Sequence, residues 1–196
     1  MTEARLVAQA LAGSQSAFEQ ILRRYQRPVI SLLIRLTGDA ALAEDLAQEA
    51  FVKAFRNLAA FDTRRRLSSW LFRIAHNTGI DALRKARPVT VEIDAGEPAD
   101  LLIAPAAADP VERRALGRAI DRALAELRPD QRTAVVLRYE QGLSFDEIGQ
   151  VLGTPEATAR SHVHRARKDL MRLMTAAGWA PGPALQRSGG APRKPE

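Results

Sequence analysis

The stretch from Gly142 to Leu173, GLSFDEIGQVLGTPEATARSHVHRARKDLMRL, constrains the chain most. Ser144 followed three residues later by Glu147 is a capping box, so a helix starts there. The helix runs through Ile148 and Val151 to Leu152, and Gly153 offers a left-handed stop. Thr154 is an N-cap residue type. Pro155 suits the first position of a second helix, where its missing N–H costs nothing. The stretch predicts a short helix, a tight turn and a longer helix.

The second helix sorts by face. Ala159, Val163, Ala166, Leu170 and Leu173 recur at steps of four, three, four and three and form one buried stripe. The opposite face carries Ala157, Thr158, Ser161, Arg165, Lys168 and Arg172, flanked by Arg160 and His164. Small and hydroxyl side chains in the first turns suit entry into a DNA major groove, and the later cations then reach phosphates. Composition alone fits a solvated basic face on an ordinary helical hairpin equally well. The tight helix–Gly–Thr–helix spacing favours a DNA-binding helix-turn-helix.

On these residues the segment LSFDEIGQVLGTPEATARSHVHRARKDL resembles region 4 of bacterial sigma factors, in the extracytoplasmic-function (ECF) group of the sigma-70 family. Thr158, Arg160, Ser161, Val163, His164, Arg165, Ala166 and Arg167 follow that family's recognition helix, with His162 where Arg is usual. The resemblance implies that Thr158, Arg160, Ser161, His162, His164, Arg165 and Lys168 contact a minus-thirty-five promoter element in duplex form.

A second match lies upstream. Asp39 can cap a helix from about Ala40 to Leu58, with Ala43, Ala47, Ala50, Phe51, Ala54, Phe55 and Leu58 on its inner arc. The other side carries Asp45, Gln48, Glu49, Val52 and Arg56. An apolar Val52 among carboxylates points to a protein-contact face, where a solvated face would be wholly polar. AEDLAQEAFVKAFR resembles sigma region 2.2, which implies that Asp45, Gln48, Glu49 and Val52 touch core RNA polymerase.

The next segment, FDTRRRLSSWLFRIAHNTGIDALRKAR, predicts a basic loop over residues 62–69 and a helix starting at Ser68 or Ser69 and reaching about Ala86. Trp70 and Phe72 beside cations suit single-stranded DNA, since bases stack on rings while cations hold phosphate. Trp70 also reads as an ordinary core residue. The segment resembles sigma regions 2.3 and 2.4, through Trp70, Arg73, Asn77, Asp81 and Arg84. The resemblance implies a minus-ten surface of Arg64, Arg65, Arg66, Trp70, Arg73, His76, Asn77 and Arg84, with the loop and Asn77 holding one flipped base. The run Arg64–Arg66 and His76 depart from the family's usual residues and bear on the preferred base sequence.

The remaining chain is expected to organise around these two groups. Before them, Ser16 with Glu19 predicts a helix to about Leu36, which Pro28 should kink or divide. Residues 88–112 carry six carboxylates, four prolines and no Lys or Arg, and predict a linker. Its Leu101, Leu102 and Ile103 are the concentrated apolar group. A span of about two dozen residues reaches roughly 80 Å when extended, so two domains can sit on separate DNA elements or fold onto each other. Arg113 to Leu127 predicts a helix with Leu116, Ala119, Ile120, Ala123 and Leu127 inward, followed by a helix capped by Asp130. A tail rich in Pro and Gly closes the chain, with Trp179 as its one potential anchor.

The fold class expected is all-α, two small helical domains: residues 10–87 as sigma region 2, 88–112 as linker, 113–176 as region 4 and 177–196 as tail. A net charge of +6 agrees with a polyanionic partner. No Cys is present, so disulfides and thiolate metal sites are excluded. His162 and His164 stand two apart on a helix and diverge, so they cannot share a metal. No phosphate loop or nucleophile elbow occurs, and neither an enzymatic activity nor a cofactor is expected. The N-terminus does not read as a signal peptide and no stretch is long enough for a membrane span, which predicts a cytoplasmic protein without membrane insertion. The expected partners are core RNA polymerase, promoter DNA and an anti-sigma factor. The competing expectation is a self-sufficient helix-turn-helix regulator, which accounts for the C-terminal half alone. An adaptor that only binds polymerase is a third.

Overall fold

A computed structural model of the chain describes residues 3–85 and 109–179, and every regular element among them is helical. The greater part of the expected linker and tail, with Leu101, Leu102 and Ile103, lies outside the described residues.

The first helix, α1 (Glu3–Leu11), was not anticipated. Nine residues are too few to hold a helix alone, and docking of Leu6, Val7 and Ala10 into the core stabilises it. Glu3 ties it down further. Its carboxylate accepts from the Tyr25 hydroxyl at 2.6 Å and from the Leu67 N–H at 3.4 Å. Burial, and then the Glu3 carboxylate, push the Tyr25 phenol well above its usual range.

Helix α2 (Gln15–Thr37) starts two residues earlier than Ser16 predicts, because Ser14 caps it by accepting from the Ala17 N–H at 3.4 Å. Pro28 does not divide it. The lost hydrogen bond is outweighed by the burial of Val29, Leu32, Leu33 and Leu36 just beyond, each contributing roughly 1.5–3 kcal/mol. Gly38 stops the helix at φ 77°, and Asp39 caps α3 (Ala40–Arg56) by accepting from the Leu42 N–H at 3.0 Å. The Asp39 cap follows the sequence expectation. A 3-10 turn at Leu58–Ala60 leads to the loop and to α4 (Leu67–Lys85). Ser68 and Ser69 do not cap α4: both are buried inside its first turn, and the Leu67 N–H is met by Glu3.

Helix α5 (Pro110–Ala125) begins inside the span expected to be linker, because Asp109 caps it by accepting from the Val111 N–H at 3.1 Å. Helix α6 (Pro129–Tyr139) starts on its proline, with Asp130 in its first turn in place of the expected cap position. In α7 (Phe145–Leu152) both capping-box bonds are made, Ser144 N–H to Glu147 Oε2 at 2.7 Å and Glu147 N–H to Ser144 Oγ at 3.2 Å. Gly153 ends it at φ 67°. Helix α8 (Glu156–Ala176) starts one residue later than expected, with Pro155 at the cap and the Thr154 hydroxyl buried without a partner. Gly149 lets α7 meet this turn closely: a Cβ there would lie 2.6 Å from the Thr154 carbonyl oxygen.

One apolar core runs through both halves of the chain, from Leu6 in α1 to Ala166 in α8. Helix α2 packs on α3, α4, α5 and α6, and α4 packs on α7. The two halves therefore meet along a seam.

Candidate nucleic-acid interface

The faces of α8 divide as its periodicity predicts. Ala159, Val163 and Ala166 are buried, and Leu170 and Leu173 half-buried. Thr158, Arg160, Ser161, His164, Arg165 and Lys168 are all exposed. His162 lies at the side of the helix, half-buried. Arg160 is paired with Glu156 at 2.6 Å.

On α3, Ala43, Ala47, Ala50, Phe51 and Ala54 are buried, together with Leu46, which the sequence did not place inward. Phe55 is half-buried and packs edge-to-face on Phe18 with ring centroids 4.9 Å apart. Asp45, Gln48, Glu49 and Val52 are exposed. Val52 keeps 47% of its surface and Leu42 37%, so the outer face is apolar as well as acidic.

The expected minus-ten residues divide into two groups. Arg64, Arg65, Arg66, Arg73, Asn77 and Arg84 are exposed. Asp62 braces the loop: Arg64 Nε and Nη2 donate to its two oxygens at 2.9 and 3.0 Å, and these bonds hold its carboxyl at about 2. Trp70 is half-buried, its ring 5.3 Å from that of Phe61. Phe72 is buried and unavailable for stacking, because it falls on the inward arc with Leu71 and Ala75. His76 is buried too, so it does not reach solvent beside Asn77. Its ring Nδ1 lies 3.1 Å from Thr133 Oγ1 and its Nε2 3.6 Å from Asp130.

His76 belongs to the seam, whose polar residues the sequence analysis missed. Arg35 enters it from α2 with a side chain 5% exposed, paired with Asp121 of α5 and with Glu140, just after α6, at 3.0 Å. Ser31 donates to the same Glu140 carboxylate at 3.1 Å. Arg132 of α6 donates to the Arg35 and Leu36 carbonyls at 3.4 and 2.7 Å, and to those of Ala125 and Leu127 at 2.6 and 3.1 Å. Further along, Arg66 of the basic loop pairs at 2.9 Å with Glu147, the carboxylate that also completes the capping box of α7. A cation expected to meet DNA is here held by the opposite half of the molecule.

Two groups in the seam titrate in opposite senses. Burial holds the His76 imidazole below its usual range, with Asp130 opposing. A group lowered in the packed state adds stability above its free value, about 6.5, and loses it as pH falls through the packed-state value. Burial raises the Glu140 carboxyl despite Arg35, and a raised group favours the packed state as pH falls. His76→Gln isolates the first. The stability difference between wild type and H76Q in urea is expected to shrink between about pH 8 and about pH 5. A constant difference over that range would show that His76 is not titrating.

Against known proteins, residues 21–89 match the family model Sigma-70 region 2 and residues 117–170 match Sigma-70, region 4. The chain is 34% identical to the ECF RNA polymerase sigma factor SigW of Bacillus subtilis, over 86% of this chain and 94% of that protein. It is 39% identical to the RNA polymerase sigma factor CarQ of Myxococcus xanthus, over 83% and 91%. Among solved structures, the sigma factor RpoE from Bartonella quintana, in complex with the anti-sigma factor NepR, superposes with a TM-score of 0.67 at 27% identity, covering 81% of this chain and 96% of that one. With both family regions present in order, each on its own half of the helical fold, the chain belongs to the ECF group of the sigma-70 family of RNA polymerase sigma factors.

Proposed function

We propose that the chain binds core RNA polymerase and directs it to promoters, and that the packed arrangement is its resting form. The observation that carries this is the exposed basic face of α8 on one half together with the apolar–acidic face of α3 on the other. A self-contained regulator has no use for the second. Residues 10–87 would grip polymerase through Asp45, Gln48, Glu49 and Val52 and open the minus-ten element. Arg64, Arg65, Arg66, Arg73 and Arg84 would hold the melted strand, with Trp70 as a stacking ring and Asn77 reading the edge of one extruded base. Residues 110–176 would read the minus-thirty-five duplex, and the stretch between Lys85 and Asp109 would span the two.

The structural relative solved with an anti-sigma factor supports such a partner here. No helix among the described residues is long and apolar enough to cross a membrane, which agrees with work beside polymerase in the cytoplasm. No catalytic reaction is assigned.

Run-off transcription on genomic fragments with purified core polymerase tests this directly. Discrete start sites that depend on the protein are expected. Arg165→Ala should weaken them by about 1–3 kcal/mol if Arg165 is bidentate to a base, or flatten the salt dependence if it meets phosphate. Should the protein alone select one promoter duplex over random DNA by several orders of magnitude, the self-sufficient regulator is the better account.

A further inference from the structure

We infer that Phe145 is a positioning residue, whose ring holds the Arg160 guanidinium in place for DNA reading. The inference rests on the assignment of α8 as the helix that reads duplex DNA.

Two guanidiniums share this one ring. The Arg138 Cζ lies 4.6 Å from its centroid and the Arg160 Cζ 5.0 Å. Arg138 is itself tied down, since its Nη1 donates to the Leu143 carbonyl at 2.8 Å. Phe145 is the first residue of α7, directly after the Ser144 cap, so the capping box fixes the backbone that carries the ring. Arg160 has a second tether one turn back along α8, the Glu156 carboxylate at 2.6 Å.

An exposed arginine samples many rotamers, and each bond it makes to DNA must offset that freedom. Contact with the ring and pairing with Glu156 remove part of it before DNA arrives. An aromatic ring does this in a way an aliphatic side chain does not. It attracts the cation electrostatically, and a guanidinium lying over a ring keeps its in-plane N–H donors available to an acceptor. At an exposed site such a contact changes an equilibrium by about two- to fivefold.

The test uses the holoenzyme, reconstituted from the full chain and core polymerase. The probe is the strongest promoter recovered by run-off transcription, with its minus-thirty-five element intact or scrambled. The quantity read is the affinity ratio between the two. Phe145→Leu keeps an apolar group of similar bulk and should lower the ratio by about two- to fivefold. Phe145→Tyr should hold it near wild type. In an Arg160→Ala background, Phe145→Leu should change nothing further.

An equal loss from F145L in both backgrounds, or an equal loss from F145Y, overturns the inference, because Phe145 then serves packing alone. A variant that fails to fold gives the same equal loss and counts the same way. If R160A lowers the ratio and F145L does not, the positioning role falls while α8 remains the reader. If R160A leaves the ratio unchanged, Arg160 reads nothing and the positioning role falls; if wild type itself binds the intact and scrambled elements equally, the assignment of α8 as the reader falls instead.

Discussion

Arg35→Ala is expected to part the two halves of the molecule. Arg35 comes from α2, and its partners Asp121 and Glu140 belong to the other half. The Glu140 side chain is 3% exposed, so removing the cation strands a carboxylate away from water, with the Ser31 hydroxyl still donating to it. Breaking a buried pair from one side costs about 3–5 kcal/mol, and most of that is the orphaned charge. The halves are joined through residues 86–108, so opening the seam returns Glu140 to water more cheaply than unfolding either helical unit. Small-angle scattering should show a larger particle. Release of Arg66 from Glu147 should also let the free protein bind a pre-melted minus-ten bubble more tightly than wild type does. The companion variant Arg35→Met with Glu140→Leu and Asp121→Asn removes all three charges and should close the particle again, since an apolar replacement of buried charges is often neutral or stabilising. An R35A particle as compact as wild type would show that the ion pair does not hold the seam.

Much of this fold is legible in the sequence, because short-range chemistry set it. The α7 capping box, Gly153, Gly38 and Asp39 each act within four residues, and all took the geometry their types predict. The outer faces of α3 and α8 followed from periodicity for the same reason. Start points that depend on distant partners were misplaced. Leu67 begins α4 because Glu3, 64 positions away, accepts its N–H. The expected cap at Asp130 failed because that residue sits in the first turn, on the side facing His76. That the two halves can fold onto each other was legible, but the residues of the seam were not. Arg35 stands in the apolar arc of Leu32, Leu33 and Leu36, and a charge there is the one signal that pointed to a buried partner. Nothing local says that the partner is Glu140, 105 positions on. His76 shows the same limit: its helix position matches a DNA-facing pattern, and packing against Thr133 turned it inward.

The other large effect is expected at Arg132. Helices α2 and α5 both end close to its guanidinium, and a helix end leaves carbonyls without intrahelical partners and with partial negative charge. Arg132 meets both ends at once, Arg35 and Leu36 of α2 with one nitrogen and Ala125 and Leu127 at the end of α5 with the other. Truncation to Ala unpairs carbonyls on both helices, at about 1–3 kcal/mol for each buried group left unsatisfied. Water reaches some of them, because the side chain is only half-buried, so a total on the order of 3 kcal/mol is expected. Arg132→Lys separates charge from geometry. Lysine keeps a cation near both helix ends, but a compact ammonium cannot reproduce the planar fork, so K should recover part of the loss and no more. The position of the loss distinguishes Arg132 from Arg35. R35A acts across the seam, whereas R132A also loosens the join between α5 and α6 within one half. Urea unfolding should therefore show R132A lowering the transition of the α5–α8 half even in the opened R35A background. Strict absence of any further destabilisation in the double variant would mean that Arg132 supports the seam alone.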